Sequence, residues 1–208
     1  MKTYKYKNLI DKQQIPDDCD KFLCDCYKLT ELPILPNTLK ILNCSGNILT
    51  NLPILPSTLI KLYCSYNEII VLPKLPNSLN ILSCGSNNII EILELPINLT
   101  IFDCSSCKII QLPSIFPSKL KKIIVCFNEL TELPELPERI KMIEIIDCCY
   151  NNIKYLSNHN VVILKKLLQY YIIELMNANT LISFDVYLLN NPVSINYTNN
   201  EDFINSFE

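Results

Sequence analysis

The chain has 208 residues, 49% of them apolar and 19% charged, with a net charge of −3. That supplies enough apolar side chain for a continuous core. The charge is too balanced for a nucleic-acid partner, which calls for a concentrated basic stripe. No apolar run approaches the ~18 residues of a membrane-spanning helix, so no membrane partner is expected.

Residues 1–14, MKTYKYKNLIDKQQ, are polar and lack the apolar centre of a signal peptide. They predict a cytoplasmic protein. Tyr4, Tyr6, Leu9 and Ile10 are the anchors of an N-terminal cap, read as a short helix, because the end of a stacked array would otherwise expose core side chains and strand edges.

From residue 15 to residue 156 a unit recurs about every twenty residues. Its pattern is L-x-x-L-x-C-x-x-N-x-[LI]-x-x-L-P-x-L-P-x-x. The first copy is degenerate, with Cys19 for Leu and Tyr27 for Asn. One column holds Phe22, Leu42, Leu62, Leu82, Phe102, Ile123 and Ile146, and two residues on come Cys24, Cys44, Cys64, Cys84, Cys104, Val125 and Cys148. Each copy predicts a short strand of about five residues, for example Ile41 to Ser45, with Leu42 and Cys44 facing inward. The column Asn47, Asn67, Asn87, Cys107, Asn128 and Asn151 lies where the chain bends after the strand. A buried Asn amide donates and accepts there, turn after turn. Cys107 does this weakly and predicts a soft spot.

The L-P-x-L-P segment forms the return. Proline fixes φ and removes a donor, so extended, polyproline-like backbone is expected rather than helix. Leucines such as Leu52 and Leu55 close the core from that side, each contributing about 1.5–3 kcal/mol when fully buried. A missing proline at Leu93 and an extra residue in Ser114-Ile115-Phe116 predict small bulges on the return side. About three residues are inserted between Glu138 and Ile143. Residues 157–193 then predict a capping helix over Val161 to Met176 and a terminal strand over Phe184 to Pro192. Residues 194–208 form a polar tail.

This pattern resembles the leucine-rich repeat signature. The L-P-x-L-P tail and short period are similar to the repeats of bacterial outer-protein-M and invasion-plasmid-antigen effectors. Cysteine-bearing repeats of amoebae and their giant DNA viruses are also similar. The resemblance implies a right-handed solenoid of about seven turns. A mostly parallel β-sheet would line its concave face, with extended convex returns and a helical C-terminal cap. It implies a protein-binding module, host-directed and acting in host cytoplasm if the source is viral or a secreting bacterium. The alternative is a substrate-recognition adaptor related to the ubiquitin-ligase effectors. Those carry a separate C-terminal catalytic domain with a Cys nucleophile, for which the residues after the repeats are too few.

One His, two Gly and no Gly-rich loop leave no catalytic constellation, so the chain reads as a non-enzyme without a cofactor. Of its eleven cysteines, those in the strand column serve as small apolar core residues. Cys104-x-x-Cys107 has no second pair to complete a zinc site, and no metal is expected. Cys26, Cys126 and Cys149 fall outside the core columns and are the candidate reactive thiols. The candidate partner-binding residues face outward on the concave sheet: Lys61, Tyr63, Ile81, Ile101, Asp103, Lys122, Ile124 and Asp147. A single protein partner on a monomer is the expectation. Exposed Ile there fits either a partner patch or plain strand propensity.

Overall fold

The computed structural model of the protein describes residues 1–6, 15–136, 145–148 and 150–153. Among the described residues eight strands occur in chain order: β1 (Thr3–Lys5), β2 (Lys21–Leu23), β3 (Ile41–Asn43), β4 (Lys61–Tyr63), β5 (Ile81–Ser83), β6 (Ile101–Asp103), β7 (Lys122–Ile124) and β8 (Ile145–Asp147). They pair in that same order, each parallel to the next, in one sheet. The result is a right-handed, mostly parallel solenoid. Its handedness is the one parallel crossovers favour, because a right-twisted strand packs back onto the sheet only that way.

Each strand has three regular residues, not five. The middle one is fully buried in β2 through β6, and its neighbours are half-buried. Pairing between turns nonetheless runs further. Cys44 N donates to Tyr63 O at 2.8 Å and Gly46 N to Ser65 O at 2.9 Å. The regular strand ends early because the chain must swing into a left-handed residue two positions past the cysteine. Gly46 takes φ 67° there, and Cys26, Tyr66, Ser86, Ser106, Phe127 and Tyr150 take φ between 52° and 62°. For residues with a Cβ this region costs roughly 1–2 kcal/mol each.

The core is two stacked apolar columns from the strand side, closed by leucines from the return. Leu42, Leu62, Leu82 and Phe102 are fully buried, as are Cys44, Cys64, Cys84 and Cys104. Leu39, Leu59, Leu79 and Leu99 are equally buried just before the strands. The second proline of each return opens a tight turn. Pro36 O accepts from Leu39 N at 3.1 Å, and Pro56, Pro76, Pro96 and Pro117 repeat the bond to Leu59, Leu79, Leu99 and Leu120. A hydroxyl column ties these turns together. Thr58 Oγ1 donates to Asn37 O at 2.7 Å and Leu39 O at 2.9 Å, and Ser78 Oγ donates to Leu59 O at 2.7 Å.

The extra residue at Ser114-Ile115-Phe116 is taken up on the return. Ile115 turns outward and bridges Glu135, while the register of Asp103 with Ile124 is kept. At Leu93 the sheet register is undisturbed, and the leucine stands 77% exposed.

Over residues 1–6 a strand stands where the sequence predicts a short capping helix, while Leu9 and Ile10 lie outside the described residues. Thr3–Lys5 add a strand to the edge of β2. Tyr4 lies against Phe22, ring centroids 5.8 Å apart, and Tyr6 meets Tyr27 edge-on at 5.2 Å. The two tyrosines alternate at strand period, and β1 supplies the partner that the β2 edge lacks. The expected helix over Val161 to Met176, the strand over Phe184 to Pro192 and the tail lie outside the described residues.

Candidate partner-binding face

Two columns of outward side chains run across the concave sheet. The first contains Lys21, Ile41, Lys61, Ile81, Ile101 and Lys122, and the second Leu23, Asn43, Tyr63, Ser83, Asp103, Ile124 and Asp147. Parallel register makes neighbours of successive members. Lys61 pairs with Ile81, Ile81 with Ile101 and Ile101 with Lys122, while Asp103 pairs with Ile124 and Ile124 with Asp147. All eight candidate residues therefore fall in one contiguous area, and all eight are half-buried.

Half-burial corrects one expectation. The isoleucines of this face are not among the strongly exposed apolar residues, because rungs about 4.8 Å apart cover one another's flanks. Strong exposure lies elsewhere, at Ile34 (90%) and Ile54 (91%) on the return.

A polar network crosses the centre of the face. Ser65 Oγ and Ser83 Oγ are 2.9 Å apart, and Ser83 Oγ is 3.5 Å from Asp103 Oδ2. Asp103 Oδ1 accepts from Ser105 Oγ at 2.8 Å and from Ser105 N at 3.1 Å. Gly85 makes room for this clasp. A Cβ there would stand 2.8 Å from Ser105 Oγ, 2.9 Å from Ser105 O and 3.3 Å from Asp103 Oδ1. Beyond the second column runs the rim of left-handed residues. Tyr66 and Phe127 are exposed there, and Phe127 stacks on Tyr150 at 4.3 Å with an interplanar angle of 11°. The place of Tyr66, Phe127 and Tyr150 just beyond the second column follows from the repeat, but the left-handed backbone of the rim escapes sequence reading because Cys, Gly, Tyr, Ser and Phe share no chemistry. The hydroxyl column of the returns carried a signal, the recurrent P-x-[ST]-L.

Behind the face, the asparagine column fixes its spacing. Asn67 Nδ2 donates to Cys44 O and Cys64 O, both at 3.0 Å, and its Oδ1 accepts from Leu49 N at 3.0 Å. Asn47, Asn87 and Asn128 repeat the set. At Cys107 the thiol reaches Cys84 O at 3.6 Å and Ser105 O at 3.7 Å, and the backbone N–H groups of Asn87 and Ile89 face its sulfur. Two directed amide bonds give way to weak sulfur contacts.

The cysteines of the strand column are free and buried. Burial pushes the Cys44 thiol up to about 12 and the Cys148 thiol up to about 11, and raises Cys64, Cys84 and Cys104 well above the ordinary range. Cys26 is exposed, as its place outside the core columns predicts. Cys126 is buried, which corrects its reading as a reactive thiol. Its position past the strand is covered by adjacent turns, as Gly85 is in the same column. Cys149 lies outside the described residues. Cys104 and Cys107 stand in different columns of the core, and among the described residues no group of three or more His, Cys, Asp or Glu is arranged to hold a metal. No helix among the described residues is long and apolar enough to cross a membrane.

No family model matches the chain, and no curated protein sequence matches it. Solved structures do. YopM from Yersinia enterocolitica WA-314 is 32% identical over 70% of this chain and 36% of its own length, with a TM-score of 0.59. YopM from Yersinia pestis, described as a leucine-rich effector protein, is 34% identical over 67% of this chain and 38% of its own, with a TM-score of 0.61. A Shigella effector leucine-rich-repeat domain is 26% identical over 81% of this chain and 76% of its own, with a TM-score of 0.60. The chain thus spans less than half the length of the Yersinia proteins it matches. The period, the parallel sheet and these likenesses converge on one statement: the chain has a leucine-rich-repeat solenoid fold resembling that of known bacterial effector proteins.

Proposed function

We propose that this protein is a non-catalytic interaction module that binds a protein partner on the concave sheet face. It acts as a monomeric effector in host cytoplasm; the effector part of this reading is supported by the Yersinia pestis protein and the Shigella domain, both named as effectors. The observation that carries the reading is the apolar run Tyr63, Ile81, Ile101 and Ile124, half-exposed on neighbouring rungs and bracketed by Lys61 and Lys122. Apolar centres with polar rims are the anatomy of protein interfaces. Lys61, Tyr63, Ile81, Ile101, Asp103, Lys122, Ile124 and Asp147 form the contact surface. Rigid parallel rungs hold these side chains in place before binding, which lowers the ordering cost of association.

The test is affinity capture from host cytosol under reducing conditions. It compares the natural chain with Tyr63→Ala/Ile101→Asp, the variant's fold being checked by circular dichroism. A protein retained by the natural chain and lost by the variant is the expected result. A partner held equally by both would move the binding surface off the concave sheet.

A further inference from the structure

We infer that Asp103 is the seat for an arginine side chain of the protein partner. This rests on the concave-face reading above and names what that face selects. Three observations carry it.

The first is a weakly engaged acceptor. Asp103 Oδ1 takes both the N–H and the hydroxyl of Ser105, at 3.1 and 2.8 Å. Its Oδ2 has only the long 3.5 Å contact to Ser83 Oγ, and that hydroxyl is itself engaged with Ser65 Oγ at 2.9 Å. Clasped on one oxygen, the carboxylate presents the other in a fixed direction.

The second is the missing cation. Among the described residues the ion pairs are Lys2–Asp18 and Lys40–Asp20, and neither involves Asp103. Lys122 stands beside Ile101 in the other column, and no ion pair joins it to Asp103. The basic column, with Lys21, Lys61 and Lys122, and the column holding Asp103 run side by side down the sheet. A cationic partner group is therefore attracted to the second and repelled by the first, which sets the partner's orientation.

The third is the surroundings. Asp103 is half-buried, with Ile124 its partner on the next rung and Ile101 two residues before it on the same strand. A guanidinium suits such a place better than an ammonium. It is less strongly hydrated, its flat faces pack on apolar side chains, and its fork matches a carboxylate. Gly85 keeps the space that lets Asp103 and Ser105 adopt this clasp. In this scheme Ser105 is a positioning residue and Asp103 the contact.

The experiment is selection of random linear peptides on the full chain under reducing conditions. Enriched peptides are then synthesised and their affinity measured by fluorescence anisotropy. The expected peptides share an arginine. Changing that arginine to Gln, or Asp103→Asn in the protein, weakens binding about tenfold or more, and the two changes together add little. Lysine in place of the arginine restores only part of the affinity, and Ser105→Ala produces a smaller loss than Asp103→Asn. Peptides that lose binding to Tyr63→Ala/Ile101→Asp but not to Asp103→Asn overturn the arginine seat and leave the concave-face reading standing. Peptides indifferent to both variants overturn both. Failure to enrich any peptide overturns the arginine seat. Asp103→Asn preserves shape, and its thermal midpoint is checked alongside.

Discussion

Replacing Asn67 by Ala tests how the turns are held in register. Each asparagine of the column shares its acceptors with its neighbour. Cys44 O accepts from both Asn47 and Asn67, and Cys64 O from both Asn67 and Asn87. Both carbonyls therefore keep one donor when Asn67 is removed. The N–H of Leu49 does not, because Asn67 Oδ1 is its acceptor. The expected cost is one orphaned buried N–H at about 1–3 kcal/mol, plus two lost bonds at about 0.5–1.5 kcal/mol each. The sum is about 2–6 kcal/mol, a large share of the roughly 5–15 kcal/mol of a typical domain. Urea unfolding of the full chain under reducing conditions measures it as a lowered midpoint at unchanged slope. Asn67→Cys, which copies the residue at position 107, should lose less than Asn67→Ala. A loss below about 1 kcal/mol for the alanine variant would refute the shared-acceptor account, because an orphaned N–H alone costs that much.

The converse change and a titration complete the set. Cys107→Asn should raise the unfolding free energy in urea by about 1–2 kcal/mol, by replacing the weak sulfur contacts to Cys84 O and Ile89 N with amide bonds and adding a second donor to Cys104 O; a neutral or destabilising result would mean that the column has closed around the smaller thiol. Stability should also fall in alkali. The buried thiols of Cys44 and Cys148 titrate at about 12 and about 11 when folded, against an ordinary 9.0. Their contribution is thus fully present below about pH 8.5 and is lost as pH rises toward those values, because the unfolded chain releases its protons first. Unfolding midpoints that stay flat from about pH 8 to pH 10.5 would contradict that linkage.

What the sequence made legible was chemistry that repeats. Leu62, Cys64 and Asn67 recur in register, so their columns, their inward direction and the parallel sheet followed from spacing alone. The first turn was legible even where it departs, since Tyr27 N still donates to Asn47 Oδ1 at 3.0 Å. The left-handed rim was hidden because Gly46 is the one residue there whose type announces its backbone. The Asp103 clasp was hidden for another reason. It joins Ser65, Ser83, Gly85 and Ser105 from three turns; Ser65 and Ser105 recur with Ser45 just after the cysteine, but Ser83 and Gly85 depart from their columns. The strand at Thr3–Lys5 is too short to show a period of two against a polar background. The burial of Cys126 depends on neighbouring turns rather than on its own position.

The thiol column also imposes an order of events. Close packing shields Cys44, Cys64, Cys84 and Cys104 only after the turns above and below have closed. Before that, the same sulfurs lie one repeat apart along an open chain, free to ionise at their ordinary values and to be oxidised. Oxygen added to one of them has no room in a fully buried column, and a cross-link to the wrong neighbour would fix a slipped register. Folding and oxidation are thus in a race that each turn wins at the moment it docks on the last. The chain's tolerance of an oxidising medium is then a matter of timing: high for the finished solenoid, low for the strand still waiting to be laid down.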